Sequence, residues 1–131
     1  PAHLTLFHKL SSTQVSHLRA LDAPEAPEGL HFDRTVFLGF GVAVHVESAG
    51  LMALREAIRR TVGGEFSRQD SQPWKPHVTV QNKASAESAR ALQETMARSF
   101  AKRDGTATGL LVWEYLGGPW KRAFEIPFGT T

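Results

Sequence analysis

Residues 76–81 read Pro-His-Val-Thr-Val-Gln, and residues 1–6 read Pro-Ala-His-Leu-Thr-Leu. Each stretch places a histidine two residues before a threonine, with an apolar residue between them. In a β-strand the histidine and the threonine would share one face and the apolar residues the other, because strand side chains alternate. We therefore predict two strands, at residues 2–8 and 76–81, each anchored in a core by its apolar face.

The polar residues of these two stretches are the candidate catalytic residues: His3, Thr5, His77 and Thr79. Two strands that face each other would present two imidazoles and two hydroxyls to one small anionic group, which are the groups of a metal-free phosphoryl-transfer site. Transfer of a phosphoryl group to water needs a base, an acid and hydrogen-bond donors for the non-bridging oxygens. Histidine is the side chain that can be neutral in one copy and protonated in another near pH 7. Threonine hydroxyls on the same strand face can donate to the phosphate. A single His-x-Thr is common in strands, so the prediction rests on the duplication.

Composition narrows the class of protein. The chain of 131 residues fits one domain, and 15 Lys and Arg against 13 Asp and Glu leave a net charge of only +2, so we expect local contacts with any polyanion. Cysteine is absent, which excludes thiol catalysis. The longest apolar run, Val36 to Val44, is too short for a membrane span. We expect a cytoplasmic monomer that does not bind membranes.

No metal or cofactor is expected. The sequence contains no His-x-His, no His-Glu-x-x-His and no carboxylate cluster at metal-ligand spacing. Glycine-rich nucleotide loops of the Walker or dinucleotide type are also missing, because Gly39-Phe40-Gly41 is too short a signal.

The remaining periodicity predicts the order strand-helix-strand-strand-helix, followed by strand-helix-strand-strand. The second half thus restates the first, which is typical of a duplicated lobe. We predict one α+β domain with two pseudo-symmetric lobes, at about 1–64 and 76–128. The predicted helices begin after serines and cover about 13–21, 48–62 and 85–102, and the predicted hairpins pair 30–38 with 42–47 and 110–116 with 121–128.

Three candidate substrate-binding residues surround the second motif. Trp74 and Lys75 precede it on a polar loop, where they would stack on a base and pair with a phosphate. The alternative is a tryptophan that covers the end of the core beside a solvated lysine. Gln81 shares the predicted strand face of His77.

Three aromatic residues are further candidates for substrate contacts. Phe7 lies on the predicted face of His3, where it would wall a cleft. Phe40, between two glycines, is either a cleft aromatic or a turn residue packed on the sheet. Trp120 follows the turn Gly117-Gly118-Pro119, so it either meets a nucleotide or sits at an exposed hairpin tip.

The paired motifs resemble those of the two-histidine (2H) phosphoesterase superfamily. Residues 72–83, Gln-Pro-Trp-Lys-Pro-His-Val-Thr-Val-Gln-Asn-Lys, are similar to its bacterial 2'-5' RNA ligase-like branch, as is the stretch Gly39 to Ala43. The resemblance extends from residue 1 to about 128. It implies a bilobal α+β fold of duplicated antiparallel sheets with flanking helices around a central cleft. Since members of the family usually carry a strand and a helix before the first motif, we expect the natural chain to start earlier.

The resemblance also implies an activity. A member of this family would be a metal-independent phosphodiesterase that hydrolyses 2',3'-cyclic phosphates or 2'-5' linkages in RNA ends or small nucleotides. His3 and His77 would be the acid/base pair, with their order open, and Thr5 and Thr79 would bind phosphate. The alternative is a non-catalytic RNA-binding or nucleotide-binding module of the same fold.

Overall fold

The computed structural model describes residues 2–129, which form three helices and six strands. The helices are α1 (Ser12–Arg19), α2 (Ala49–Val62) and α3 (Ala86–Ser99). The strands are β1 (Leu30–Phe37), β2 (Val42–Glu47), β3 (His77–Gln81), β4 (Arg103–Gly105), β5 (Gly109–Tyr115) and β6 (Trp120–Pro127).

The strands form two antiparallel sheets. The larger sheet has the order β3-β2-β1-β4, and the smaller is the hairpin β5-β6. Strand β3, which carries the second motif, pairs with β2 at the edge of the larger sheet. Residues from both predicted lobes, 1–64 and 76–128, therefore contribute strands to the same sheet.

Serine side chains begin all three helices, as their positions in the sequence predict. The side chain of Ser11 accepts from the Gln14 backbone N–H in a capping box, and Ser48 and Ser85 accept from the residues three positions on. Gly63 ends α2 with a φ of 60°, a conformation that favours glycine. The caps thus fix the helix starts locally.

One predicted strand and one predicted helix end are wrong. Residues 2–10 form an irregular segment instead of the strand predicted at 2–8, and side chains from elsewhere in the chain satisfy much of its backbone, as described below. Helix α3 ends at Ser99 and not near residue 102, because Arg103–Gly105 forms β4 and pairs with Leu30–Phe32 of β1. Such tertiary pairing overrides the local helical pattern.

Two hydrophobic clusters form the core. The first, called here the helix–hairpin cluster, joins α1 and α2 to the β5-β6 hairpin through Leu18, Ile58, Val62, Leu110 and Ile126. The second, called the sheet cluster, is built on Leu30, Val46 and Leu51, which connect β1, β2 and α2. Within residues 2–129, no helix is long and apolar enough to cross a membrane.

Candidate functional site

The second motif lies on β3 as predicted. His77 and Thr79 pair with His45 and Ala43 of β2, and Val78 pairs with Val44. Directly opposite residues of an antiparallel pair share a face, so His77, Thr79 and His45 lie on one face of the sheet. Val78 points to the other face, where it packs against the sheet cluster.

Hydrogen bonding sets the orientation of the His77 imidazole. Its Nδ1 lies 2.8 Å from the backbone carbonyl oxygen of Lys75. Because a carbonyl oxygen only accepts, Nδ1 carries the proton and donates it, which leaves Nε2 free to act on a substrate. The ring is half-buried and the neighbouring Thr79 is exposed. An imidazole with a free Nε2 and a neighbouring exposed hydroxyl can exchange a proton and donate a hydrogen bond to a bound group.

A second imidazole, that of His45, adjoins His77 and binds Asp33. This contact was not predicted from the sequence. His45 is the register partner of His77, and its Nδ1 lies 2.7 Å from Oδ1 of Asp33. Only 19% of the His45 side chain and 20% of the Asp33 side chain are exposed. The pair depends on a register shift between Phe32 and Arg34 that makes Asp33 the extra residue of β1. Spacing in the sequence gives no signal for this contact.

The Asp33 carboxylate is stabilised in its ionised form. Burial raises the pKa of Asp33, but the hydrogen bond from His45 and the charges of His45 and Arg34 outweigh it, and the net shift lowers the pKa. An ionised carboxylate at Nδ1 fixes the His45 tautomer and directs its Nε2 away from Asp33. The face of His77 therefore carries two imidazoles, each held at Nδ1 by an oxygen.

The first motif alternates in burial although it is not a strand. Leu4 and Leu6 pack against the sheet cluster, and Leu6 also contacts the helix–hairpin cluster. His3 and Thr5 are exposed. The two motifs therefore pack against the same cluster, Leu4 from the first motif and Val78 from the second.

Three side chains hold the backbone of the first segment where a strand ladder was expected. The Trp74 indole N–H donates to the carbonyl oxygen of Thr5 at 3.2 Å, and Nε of Arg55 donates to that of Leu6 at 2.8 Å. Asp70 accepts the backbone N–H groups of residues 8 and 9, at 2.8 Å and 2.9 Å. We call Arg55, Asp70 and Trp74 the three-residue anchor.

Two residues of the anchor, Arg55 and Asp70, are buried and bonded to each other. Nη2 of Arg55 donates to the backbone oxygen of Asp70 at 3.1 Å, and its guanidinium lies 4.5 Å from the ring centre of Phe7 and 5.1 Å from that of Trp74. Asp70 is only 2% exposed. Burial raises its pKa, but the hydrogen bonds from His8 and Lys9 outweigh burial, and the net shift is downward. Among these three residues, sequence reasoning had singled out only Trp74 for a role.

The structure places the predicted substrate-binding residues at several sites. Trp74 is half-buried and takes part in the anchor, whereas Lys75 is exposed and its carbonyl oxygen accepts the hydrogen bond from His77 Nδ1. Gln81 is half-buried, and its Oε1 is enclosed without a hydrogen-bond partner among residues 2–129. Phe7 packs in the helix–hairpin cluster and stacks on Phe66 at 5.4 Å.

The other two aromatic candidates lie at hairpin tips. Phe40 is 68% exposed in the β1-β2 turn, and its carbonyl oxygen accepts from the Ala84 N–H just beyond β3. Trp120 is 58% exposed at the start of β6. Neither ring belongs to the two core clusters.

Two shallow cavities flank Trp74 and Met52. The larger, of about 340 Å³, is lined by Arg55, Arg59, Gln72 and other residues of α2 and the following loop. The smaller, of about 260 Å³, is lined by His45, Lys75 and Pro76 and so adjoins His77. None of the four catalytic candidates lines either cavity. In the described part of the chain, no group of three His, Cys, Asp or Glu is placed to hold a metal ion.

The curled four-stranded antiparallel sheet, the second small sheet and the three helices are consistent with the fold of the two-histidine phosphoesterases. The match to a family model is more specific, because the 2'-5' RNA ligase superfamily model covers residues 1–119. The chain belongs to this superfamily, and both His-x-Thr motifs fall within the matched residues. Neither the comparison with curated proteins nor the comparison with solved structures returns a match.

Proposed function

We propose that this protein is a metal-independent phosphodiesterase that hydrolyses 2',3'-cyclic phosphates or 2'-5' linkages at RNA ends or in nucleotides. The observation that carries the proposal is that both motifs pack against the same hydrophobic cluster. Leu4 and Val78 pack against the same sheet cluster, while the histidine and threonine of each motif remain outside it. Membership in the 2'-5' RNA ligase superfamily supports the same chemistry.

In the proposed reaction one histidine takes a proton from water, and the water oxygen forms a bond to phosphorus. The bond from phosphorus to one ribose oxygen breaks, and the other histidine gives its proton to that oxygen. Thr5 and Thr79 donate hydrogen bonds to the non-bridging oxygens, whose negative charge they stabilise. The free Nε2 of His77 suits either proton-transfer role, because its Nδ1 is already bound to the Lys75 carbonyl.

The test is hydrolysis of 2',3'-cyclic nucleotides in the presence of EDTA. We expect the intact protein to be active and His3→Ala and His77→Ala each to lose about a hundredfold or more in kcat, the range typical of a lost general acid or base. His17→Ala is the matched control. His17 lies on helix α1, outside both motifs, and its Nδ1 also binds a backbone carbonyl, that of Val62. Activity that requires a divalent metal, or that survives both substitutions, would contradict the proposal.

A non-catalytic module of the same fold is the alternative outcome. It is separated from the enzyme by measuring binding and turnover on the same nucleotides. Binding that is sensitive to Thr5→Ala and Thr79→Ala, with no product from any cyclic or 2'-5' linked substrate, would replace the enzyme with a binding protein.

A further inference from the structure

The β5-β6 hairpin has one packed face and one open face. Leu110 and Val112 of β5, opposite Ile126 and Phe124 of β6, pack in the helix–hairpin cluster. Trp113 follows Val112 in the strand, so its side chain points to the opposite face. The open face of the hairpin therefore begins with a tryptophan that does not belong to the core.

Three aromatic side chains and one arginine share this open face. Trp113 pairs with Arg122 and Tyr115 pairs with Trp120, and directly opposite residues lie on the same side. The three rings are 45%, 58% and 58% exposed, for residues 113, 115 and 120. We call these four residues the aromatic patch.

The patch is ordered by contacts within itself. The rings of Tyr115 and Trp120 have centroids 4.9 Å apart and planes tilted by 54°, and the Arg122 guanidinium lies 5.7 Å from the Trp113 ring centre. A guanidinium over an indole face is a cation–π contact. Because Tyr115 and Trp120 contact each other and Trp113 contacts Arg122, a ligand that stacks on these rings meets side chains that already have partners.

The charges near the patch favour an anionic ligand. Glu114 pairs with Lys121 on the opposite face of the hairpin, so neither competes with Arg122 on the open face. The nearest carboxylate on the open face belongs to Glu125, which pairs with Leu111 one row farther from the hairpin tip. The patch thus combines three exposed rings with one cation, and no ion pair joins Arg122 to a carboxylate among residues 2–129.

Exposed aromatic rings beside an arginine are the chemistry that binds unpaired nucleic acid. Bases stack on aromatic side chains with little dependence on sequence, and guanidinium groups pair with phosphates. Duplexes cannot use such a surface, since their bases already stack on one another. Arginine over indole also offers a second plane for stacking.

We propose that the aromatic patch is a binding site for unpaired nucleotides of single-stranded RNA. The proposal rests on the proposed function for its choice of RNA, and it assigns a strand with unpaired bases, and not a free mononucleotide, as the substrate class. Bases would stack on Trp113, Tyr115 and Trp120, and Arg122 would contact the backbone phosphates.

The test is equilibrium binding of a fluorescently labelled single-stranded RNA of about eight nucleotides, a length within the site sizes of stacking surfaces. We expect Trp113→Ala and Tyr115→Ala each to weaken binding by about tenfold, and Arg122→Gln to weaken it and reduce its salt dependence. Tyr115→Phe keeps the ring and should bind as the unchanged protein does. Thermal melting confirms that each variant is folded.

The matched controls are Phe37→Ala and Arg90→Gln. Phe37 is 37% exposed on β1, and the Arg90 guanidinium lies 4.9 Å from its ring centre, so this pair repeats the chemistry of the patch elsewhere. The control variants should bind RNA normally. RNA binding that the patch substitutions leave unchanged, or a duplex bound as tightly as the single strand, would overturn the proposal.

A second copy of the chain is the competing occupant of the patch. If Trp113→Ala turns a dimer into a monomer in sedimentation experiments and leaves RNA affinity unchanged, the patch is a self-association surface and the proposal fails. Binding is measured apart from turnover, so the two proposals fail separately. Hydrolysis with no effect of the patch on RNA binding overturns this proposal alone, and patch-dependent binding without hydrolysis overturns the proposed function alone.

Discussion

Asp70 holds His8 through one carboxylate oxygen. Oδ1 accepts the His8 backbone N–H at 2.8 Å and lies 3.1 Å from the His8 ring Nδ1, although 62 positions separate the two residues in the chain. The other oxygen accepts the Lys9 N–H at 2.9 Å. The segment that carries the first motif is thus bound at its end by the buried carboxylate of Asp70.

Substitution of Asp70 should destabilise the whole domain. Asp70→Asn replaces one acceptor oxygen with an NH₂ group that faces backbone N–H donors, so at least one buried hydrogen bond is lost. We expect the free energy of unfolding to fall by about 1–3 kcal/mol, the range for a buried polar group left unsatisfied. Urea unfolding measures the change. Asp22→Asn, at an exposed site, is the control and should differ little from the unchanged protein.

Acid should weaken the fold through the same carboxylate. The folded-state pKa of Asp70 lies below its ordinary value of 3.8, so the ionised form is favoured by folding. The stability that it contributes is complete above that ordinary value and is lost as the pH falls through the lower folded-state pKa. The neighbouring charged groups are His8, which donates to Asp70, and Arg55, which binds its backbone oxygen.

Asp33, which binds His45 beside the second motif, should also make the folded protein less stable in acid. Its pKa is also lowered in the folded protein, with His45 and Arg34 as its charged neighbours. Unfolding measured from pH 6 down to about pH 2 should therefore show a steep loss of stability below about pH 4. The double variant Asp33→Asn, Asp70→Asn should be less stable at pH 6 and show a flatter dependence. An unchanged slope would contradict both assignments.

Trp74→Phe should separate positioning of the first motif from packing. The substitution keeps an aromatic ring in the sheet cluster and removes the indole N–H that binds the Thr5 carbonyl. We expect the free energy of unfolding to fall by about 1 kcal/mol, as for one hydrogen bond. We expect kcat on cyclic nucleotides to fall by more than the factor that about 1 kcal/mol represents. Thr61→Val is the control, because it also removes a hydrogen bond to a backbone carbonyl, that of Ala57, at an exposed position of helix α2. Equal activity of Trp74→Phe and the unchanged protein would remove the positioning role.

Gly41 should tolerate no side chain. A Cβ built at this position would lie 2.0 Å from the backbone oxygen of Gln81, at the end of β3, and a backbone atom has little room to move. We expect Gly41→Ala to disturb the pairing of β2 with β3 and to cost more than about 2 kcal/mol. Gly118→Ala is the control, because a Cβ there meets nothing within 4 Å. Denaturant unfolding of the two variants should differ accordingly.

Much of the fold follows from local sequence signals. Ser11, Ser48 and Ser85 begin the helices because each hydroxyl accepts an otherwise unpaired backbone N–H of the first turn. The two hairpins agree with the predicted strands to within about two residues, since alternating apolar residues and glycine turns act over short distances. Strand β4 was missed because its three residues form a strand only by pairing with β1.

The candidate site was less predictable than the fold. His77 and Thr79 lie on the predicted strand, and Leu4 and Val78 are anchored as their alternation suggests. The strand expected around His3 does not form, and the catalytic roles of the four residues remain predictions. Trp113 and Tyr115 alternate along β5 as core residues do, yet they are exposed, because the helices cover only the other face of their hairpin.

By itself, the sequence determined the helix caps, the hairpins and the repeated motif, because each depends on neighbours within a few positions. Only the tertiary structure decided that Asp33 meets His45, that Arg55, Asp70 and Trp74 hold the first motif, and that one face of the last hairpin is open. These contacts join residues far apart in the chain. Their formation depends on the complete packing of sheets and helices, which no local pattern encodes.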